Sequence, residues 1–252
     1  MAKSYGTPDK PRAILREYLQ AKALYYLYGQ PGSEMLSFMG GTSLRLLRNL
    51  PRFSEDLDFD NLGISDNEIT KLIENVVTKL NTENIACELK STVRDYKHYY
   101  ELKFTTLLQD LDITTNPREK LMIKVDYSRS WSGQTIEHIL LNRYGVIAQI
   151  PTNTLDQLLV QKMSAYVGRA TPQPRDMYDI VWLFGQGARL DEKFMRRNRV
   201  TDLLTSATSR LAKEGVTRTM KAKLEPFIFG ADEIKKVDLF GNVLSELAKN
   251  NS

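Results

Sequence analysis

Two short segments of this chain carry the residue types for phosphoryl chemistry. Gly40-Gly41-Thr42-Ser43 sets two residues without a Cβ beside two hydroxyls, and fourteen residues separate Gly41 from Asp56-Leu57-Asp58. Alternate side chains of a strand share a face, so Asp56, Asp58 and Asp60 project together, about 6–7 Å apart. Carboxylates ranked in this way repel one another unless a cation lies between them. Hard oxygen donors suit Mg²⁺, which takes one or two protein carboxylates and completes its shell with substrate phosphates. A glycine pair at a strand-to-helix turn lets backbone N–H groups approach a phosphate, and the helix N-terminus adds a favourable dipole. Each half also has a plain structural reading, an acidic outer strand face and a turn that needs glycine. Their order on one strand–helix–strand frame favours the chemical one.

Three later segments agree. Lys124-Val125-Asp126 lies in an alternating run, with Leu121, Ile123 and Val125 on one face and Met122, Lys124 and Asp126 on the other. Asp126 there offers a third carboxylate, as two-metal phosphoryl-transfer sites use. Lys162 falls in the helical pattern Leu158–Ala165, where its ammonium can face a triphosphate. Arg175-Asp176-Met177-Tyr178-Asp179 opens the next helix with two aspartates at i, i+3 on one face.

These groups need elements to position them. Residues 12–28 read as one amphipathic helix, ended by Gln30-Pro31-Gly32-Ser33. Met35–Met39 reads as a short strand running into the glycine pair, and Thr42–Leu50 as the helix that follows. Phe53–Asp60 is predicted as a strand with Leu57 and Phe59 on its inner face, and Asp66–Leu80 as a helix capped by Ser65. Strands are predicted near Ile85–Thr92, Tyr99–Thr106 and Lys120–Tyr127. From about Pro151 the hydrophobic period changes from two to 3.6, with helical patterns at Leu155–Val167 and Arg175–Phe184. The fold class is α+β, divided near residue 150 into a core (1–150) and a helical domain (151–252).

Composition narrows the chemistry further. The 252 residues include one cysteine, Cys87, and two histidines, His98 and His138. That excludes an intrachain disulfide framework and multi-cysteine or His-rich metal sites, and it fits a reducing compartment. No run of about 18 apolar residues occurs, so a cytoplasmic protein without membrane spans is expected. Lysines and arginines balance acids over 1–150, nineteen of each, so the net charge of +4 resides wholly in the remainder. Lys193–Lys223 holds nine basic residues against Asp202 and Glu214. Such a stretch attracts polyanions and makes their binding salt-dependent.

Gly40-Gly41-Thr42-Ser43-Leu44-Arg45-Leu46, followed by Leu50-Pro51-Arg52-Phe53-Ser54-Glu55-Asp56-Leu57-Asp58-Phe59, resembles the signature of AbiEii-type nucleotidyltransferase toxins. These form a branch of the polymerase-β-like nucleotidyltransferase superfamily that includes the MenT-like toxins. Lys124–Asp126, Lys162–Ala165 and Arg175–Asp179 match its later motifs in order. The resemblance implies a mixed-sheet core with flanking helices and a C-terminal helical domain that completes the active-site cleft and carries a basic face. It implies Mg²⁺ or Mn²⁺ held by Asp56, Asp58 and Asp126, with Lys162 and Asp176 also in the catalytic set. The nucleotide-binding set it implies is Gly40, Gly41, Thr42, Ser43, Arg52, Lys162, Arg175 and Asp179. The implied reaction transfers NMP from an NTP to an RNA acceptor, the 3′ end of tRNA, releasing pyrophosphate. Arg196, Arg197, Arg199, Lys221 and Lys223 would then meet the RNA, and a separately encoded antitoxin is the expected partner. Many relatives carry a lysine immediately before the glycine pair. Here that position is Met39, which leaves Arg45 or Arg52 as substitute cations.

Two other functions share these features. A transferase acting on a small molecule or a protein needs the same acids but no basic tract. A nucleotide- or RNA-binding module without catalysis needs neither paired aspartates nor diglycine. Ser54, two residues before Asp56 on the predicted strand, is a candidate phosphosite, since a phosphate there would bring about −1.5 to −2 charges beside the acids.

Overall fold

The computed structural model describes residues 10–94 and 97–250. The chain divides into two units, the first built from residues up to Asn49, Phe53–Ser130 and Glu137–Thr152, the second from Leu50–Arg52, Trp131–Ile136 and Asn153 onward.

In the first unit, α1 (Pro11–Tyr28) begins with proline at its first turn, where the missing N–H costs nothing. After a 3₁₀ turn come β1 (Leu36–Met39), α2 (Gly40–Arg48), β2 (Leu57–Asn61) and α3 (Asp66–Thr82). Ser65 caps α3 through a reciprocal capping box with Glu68. Next are β3 (Glu88–Arg94), β4 (Lys97–Phe104), the single turn α4 (Leu107–Asp110) and β5 (Leu121–Ser128). The five strands form one mixed sheet in the order β1-β2-β5-β4-β3, in which only β2 and β5 run parallel.

One face of this sheet is apolar. Leu57, Phe59, Ile123, Val125, Tyr100 and Leu102 all fall on it and are buried against α1 and α3. The opposite face carries Asp58 and Asp60 on β2, Lys124, Asp126 and Ser128 on β5, and Tyr99 and Glu101 on β4, with Asp56 immediately before β2. Period-two alternation sorts polar residues to this face, on which Asp60 and its register partner Ser37 are fully buried.

Two details depart from the sequence reading. β2 begins at Leu57, not Phe53. The Gln20 side chain donates to the carbonyls of Ser54 and Glu55 (3.2 and 2.9 Å), so the backbone there bonds to α1 instead of to a neighbouring strand. Ser54 therefore lies outside β2, as does Asp56. The second departure is the two-stranded sheet of β6 (Ile136–Arg143) and β7 (Val146–Asn153), for which the sequence reading named no element. Its two-residue turn is Tyr144-Gly145, both at positive φ (55° and 76°), the geometry that matches strand twist.

The second unit holds α5 (Leu155–Gly168), α6 (Pro174–Gly185), α7 (Glu192–Arg197), α8 (Leu203–Glu214), α9 (Arg218–Leu224), a 3₁₀ segment (Ala231–Leu239) and α10 (Phe240–Asn250). Among the described residues no helix is long and apolar enough to cross a membrane.

Candidate active site

In the first unit the glycine pair begins α2. Gly40 has φ +78°, and a Cβ built on it would lie 2.3 Å from Asp58 Oδ2. The aspartate carboxylate therefore rests directly on the glycine backbone, and this close approach is what requires glycine. β1 and β2 make it: Met39, the residue before the pair, is in register with Asp58. Asp58 is in turn in register with Asp126 on β5. Thr42 donates its hydroxyl to the Asp56 carbonyl (2.5 Å), so α2 also anchors the backbone of the other acid.

Thr42 and Ser43 differ from expectation in their direction. Both are fully buried, and the Ser43 hydroxyl is 3.1 Å from that of Thr152. Their hydroxyls hold the scaffold, and in the first turn of α2 only Gly40 is partly exposed. Arg45 is not a substitute cation either. It is buried and makes a two-point ion pair with Glu17 (2.6 and 2.9 Å), whose carboxylate also accepts from Tyr144.

Lys124 lies on the acidic face instead. Its ammonium is 2.7 Å from Asp126 Oδ2 and 4.3 Å from the centroid of the Tyr99 ring. Desolvation would lower its pKa, but Asp126, together with the charge of Asp56, raises it above the ordinary lysine value. Among the described residues no three of His, Cys, Asp and Glu converge as a ready metal cage, so the expected triad of Asp56, Asp58 and Asp126 is not assembled. Asp126 is paired with Lys124. The donors nevertheless fit a hard divalent cation. They are carboxylate oxygens on adjacent strands of one face, and an ammonium already stands there in the role of a cation.

The second unit assembles the later motifs. Lys162 on α5 meets Asp179 Oδ2 at 2.8 Å and Asp176 Oδ1 at 3.3 Å, so the i, i+3 aspartates of α6 do share a face. Arg52 forks onto both oxygens of Asp179 (2.7 and 2.6 Å), and Arg169 takes Asp176 Oδ2 at 2.8 Å. Burial alone would push the Asp179 carboxyl up, but the charges of Arg52 and Lys162 override it and hold it below the usual carboxylate range. Arg52 and Asp179 were expected to touch nucleotide, yet their side chains are 2% and 0% exposed. They form the buried floor of an ion-pair network, which three cations and two acids leave with one positive charge in excess. The exposed part of that network is Arg169, which the sequence reading missed because it stands outside every motif. Arg175 stacks its guanidinium on Phe227, 4.8 Å from the ring centroid.

The chain matches the model of the family described as "Nucleotidyl transferase AbiEii toxin, Type IV TA system" over residues 22–242. It belongs to the AbiEii nucleotidyltransferase toxin family. As a member it is a nucleotidyltransferase, the toxin of a type IV toxin–antitoxin system, with an NTP as substrate and an antitoxin as partner. The AbiEii match spans the glycine pair, both acids of the first motif and the ion-pair network of α5 and α6. The fold agrees with two crystallised Helicobacter pylori proteins. One, a candidate nucleotidyltransferase, aligns with a TM-score of 0.60 at 16% identity, covering 95% of this chain and 96% of its own. The other, JHP933, has a TM-score of 0.56 at 18% identity, with 96% and 95% covered. No curated protein matches the chain.

For an AbiEii enzyme the contact between Gly40 and Asp58 has a direct consequence. Gly40→Ala forces either the carboxylate or the backbone to move, and a left-handed φ at alanine costs about 1–2 kcal/mol. A displacement near 1 Å at reacting groups costs about 10²-fold in rate. The variant should therefore lose about that much transfer activity while its melting temperature falls by only a few degrees, as activity assays beside thermal melts would show.

Other chemistries fit less well. Burial pushes the Cys87 thiol up to about 12, so at neutral pH it is no thiolate nucleophile. The basic tract is also weaker than its sequence count. Arg196 pairs with Glu192 at 2.8 Å and Lys221 with Asp238 at 2.6 Å. Arg210 donates to the carbonyls of Tyr166, Val167 and Arg169, capping the C-terminus of α5. Arg197, Arg199 and Lys223 are exposed.

Proposed function

We propose that this AbiEii protein transfers a nucleoside monophosphate from an NTP to an RNA acceptor, the 3′ end of tRNA, in a reaction dependent on Mg²⁺ or Mn²⁺. The observation that supports it best is the Asp58 carboxylate seated on Gly40 with Asp126 in register beside it. Asp56 and Asp58 would hold the metal, and Asp126 would join them once Lys124 releases it. When bound, the divalent cation supplies Lewis-acid polarisation of phosphate oxygens. The chain's own groups do the rest. The backbone at Gly40-Gly41 binds phosphate at the start of α2, the one end of that helix where a dipole favours anions. An acceptor hydroxyl attacks the α-phosphorus in line, the α–β anhydride bond breaks, and pyrophosphate leaves. Lys162 and Arg169 offer positive charge to phosphate oxygens, while Arg52 and Asp179 hold Lys162 in place. Arg175, at the start of α6, would contact nucleotide.

Arg196, Arg197, Arg199, Lys221 and Lys223 would supply phosphate contacts to the RNA. Their role separates RNA transfer from transfer to a small molecule. Incubating the protein with Mg²⁺, each labelled NTP and total RNA should label RNA 3′ ends. Neutralising Arg197, Arg199 and Lys223 together should weaken RNA labelling by about tenfold or more at 0.15 M salt and flatten its salt dependence by about three phosphate contacts. Unchanged labelling and salt slope would direct the search to a small-molecule or protein acceptor.

A further inference from the structure

Of the lysines on the polar sheet face, Lys90 and Lys103 lie by Glu101, while Lys124 is paired with an acid of the candidate metal set. The register that aligns Asp58 with Asp126 puts Lys124, two residues before Asp126, on the same strand face. Its ammonium pairs with Asp126 at 2.7 Å, lies over Tyr99 and feels the charge of Asp56. Two arginines of α2 are engaged elsewhere. Arg45 is sealed on Glu17, and Arg48 pairs with Glu137 at 2.8 Å.

The lysine side chain is about one-third exposed and carried on a flexible four-carbon stem, so it can move without disturbing the strand. One positive charge partly neutralises a row of three carboxylates. A divalent cation brings two and repels the ammonium from the position it takes. The nearest new anions are then the phosphates that arrive with it.

We propose that Lys124 is an exchange cation: it neutralises the acidic row before substrate binds, then passes from Asp126 to the triphosphate oxygens when a divalent cation takes the row. The inference rests on the transferase reading of the same site. It makes Asp126 conditionally available, and it makes Lys124 a nucleotide-contacting residue.

Amine footprinting of the wild-type full-length chain tests this without a variant. With acetylation read by mass spectrometry, Lys124 should react slowly alone and severalfold faster with Mg²⁺. It should be protected again by Mg²⁺ with a mixture of the four α,β-methylene nucleoside triphosphates. Calorimetric titration gives the second readout. Lys124→Met should bind Mn²⁺ about tenfold more tightly, its competitor being gone, and the triphosphates about tenfold more weakly, while Lys124→Arg retains part of the triphosphate affinity. A wild-type chain that binds Mn²⁺ but shows a Lys124 reactivity indifferent to metal and nucleotide overturns the exchange and leaves the transferase reading intact. A wild-type chain that binds no divalent cation with nucleotide present overturns the metal-dependent reading of this site on which the inference rests.

Discussion

Asp58→Asn is expected to abolish nucleotide transfer, a loss of about 10³-fold or more, while leaving the fold intact. The substitution keeps the shape of the side chain that rests on Gly40 but removes the charge that would hold a divalent cation, a contribution of several kcal/mol to the transition state. Asp58 is partly exposed on the polar face of the sheet. Removing one of three ranked carboxylates also relieves repulsion, so thermal stability should hold or rise slightly. The decisive comparison is label transfer from α-labelled NTPs beside a thermal melt. An Asp58→Asn protein that melts normally and still transfers label would mean that this acid row is not the metal site.

Arg52→Met should have the largest effect on stability. The guanidinium fork and Lys162 are what allow a fully buried Asp179 to stay ionised. Taking away one partner leaves charge buried with half its compensation, which costs about 3–5 kcal/mol. Replacing both partners, Arg52→Met with Asp179→Leu, should recover much of that loss, since an apolar pair of similar volume removes the desolvation cost as well. Urea unfolding of the single and double variants measures both numbers. The sign with pH follows from the direction of the shift. Because Asp179 sits below its unfolded value near 4, its contribution is complete above that pH and fades as acid protonates it in the folded state. Arg52 and Lys162 are shifted up, so their share persists from acid through neutral pH and is lost only in strong alkali. Arg52→Met should accordingly narrow the gap to wild type in acid. An equal stability difference at pH 7 and pH 3 would contradict the assignment.

The two units differ in how readily the chain discloses them. The acidic row was legible because strand alternation is strictly local: Asp56, Leu57, Asp58 and Phe59 assign their own faces by period two, and burial of Leu57 and Phe59 follows. The Gly40-Gly41 turn was legible for a similar reason, as few residues other than glycine accept φ +78°. The hairpin β6–β7 was not recognised, although Tyr144-Gly145 is a turn signal, because its flanking strands mix apolar and polar residues on both faces, with Leu140 and Ile147 exposed. Ser54 was misplaced because a hydrogen bond from Gln20, thirty-four residues earlier, ends the strand that its own neighbours favour.

What the amino-acid sequence by itself determined was the inventory and local geometry of the chemistry. It established an acid row on one strand face, a glycine turn ahead of it, a third acid on a later strand and paired aspartates on one helix face. Each is set by bond geometry within a few residues. Only the tertiary structure decided which charges face one another. Arg45 and Arg52 look like equivalent free cations along the chain, yet one is spent on Glu17 and the other on Asp179, while Lys124 meets the acid row. Coulomb interactions depend on distance through space, and partners 28 and 127 residues apart in sequence are set by packing that no local pattern encodes.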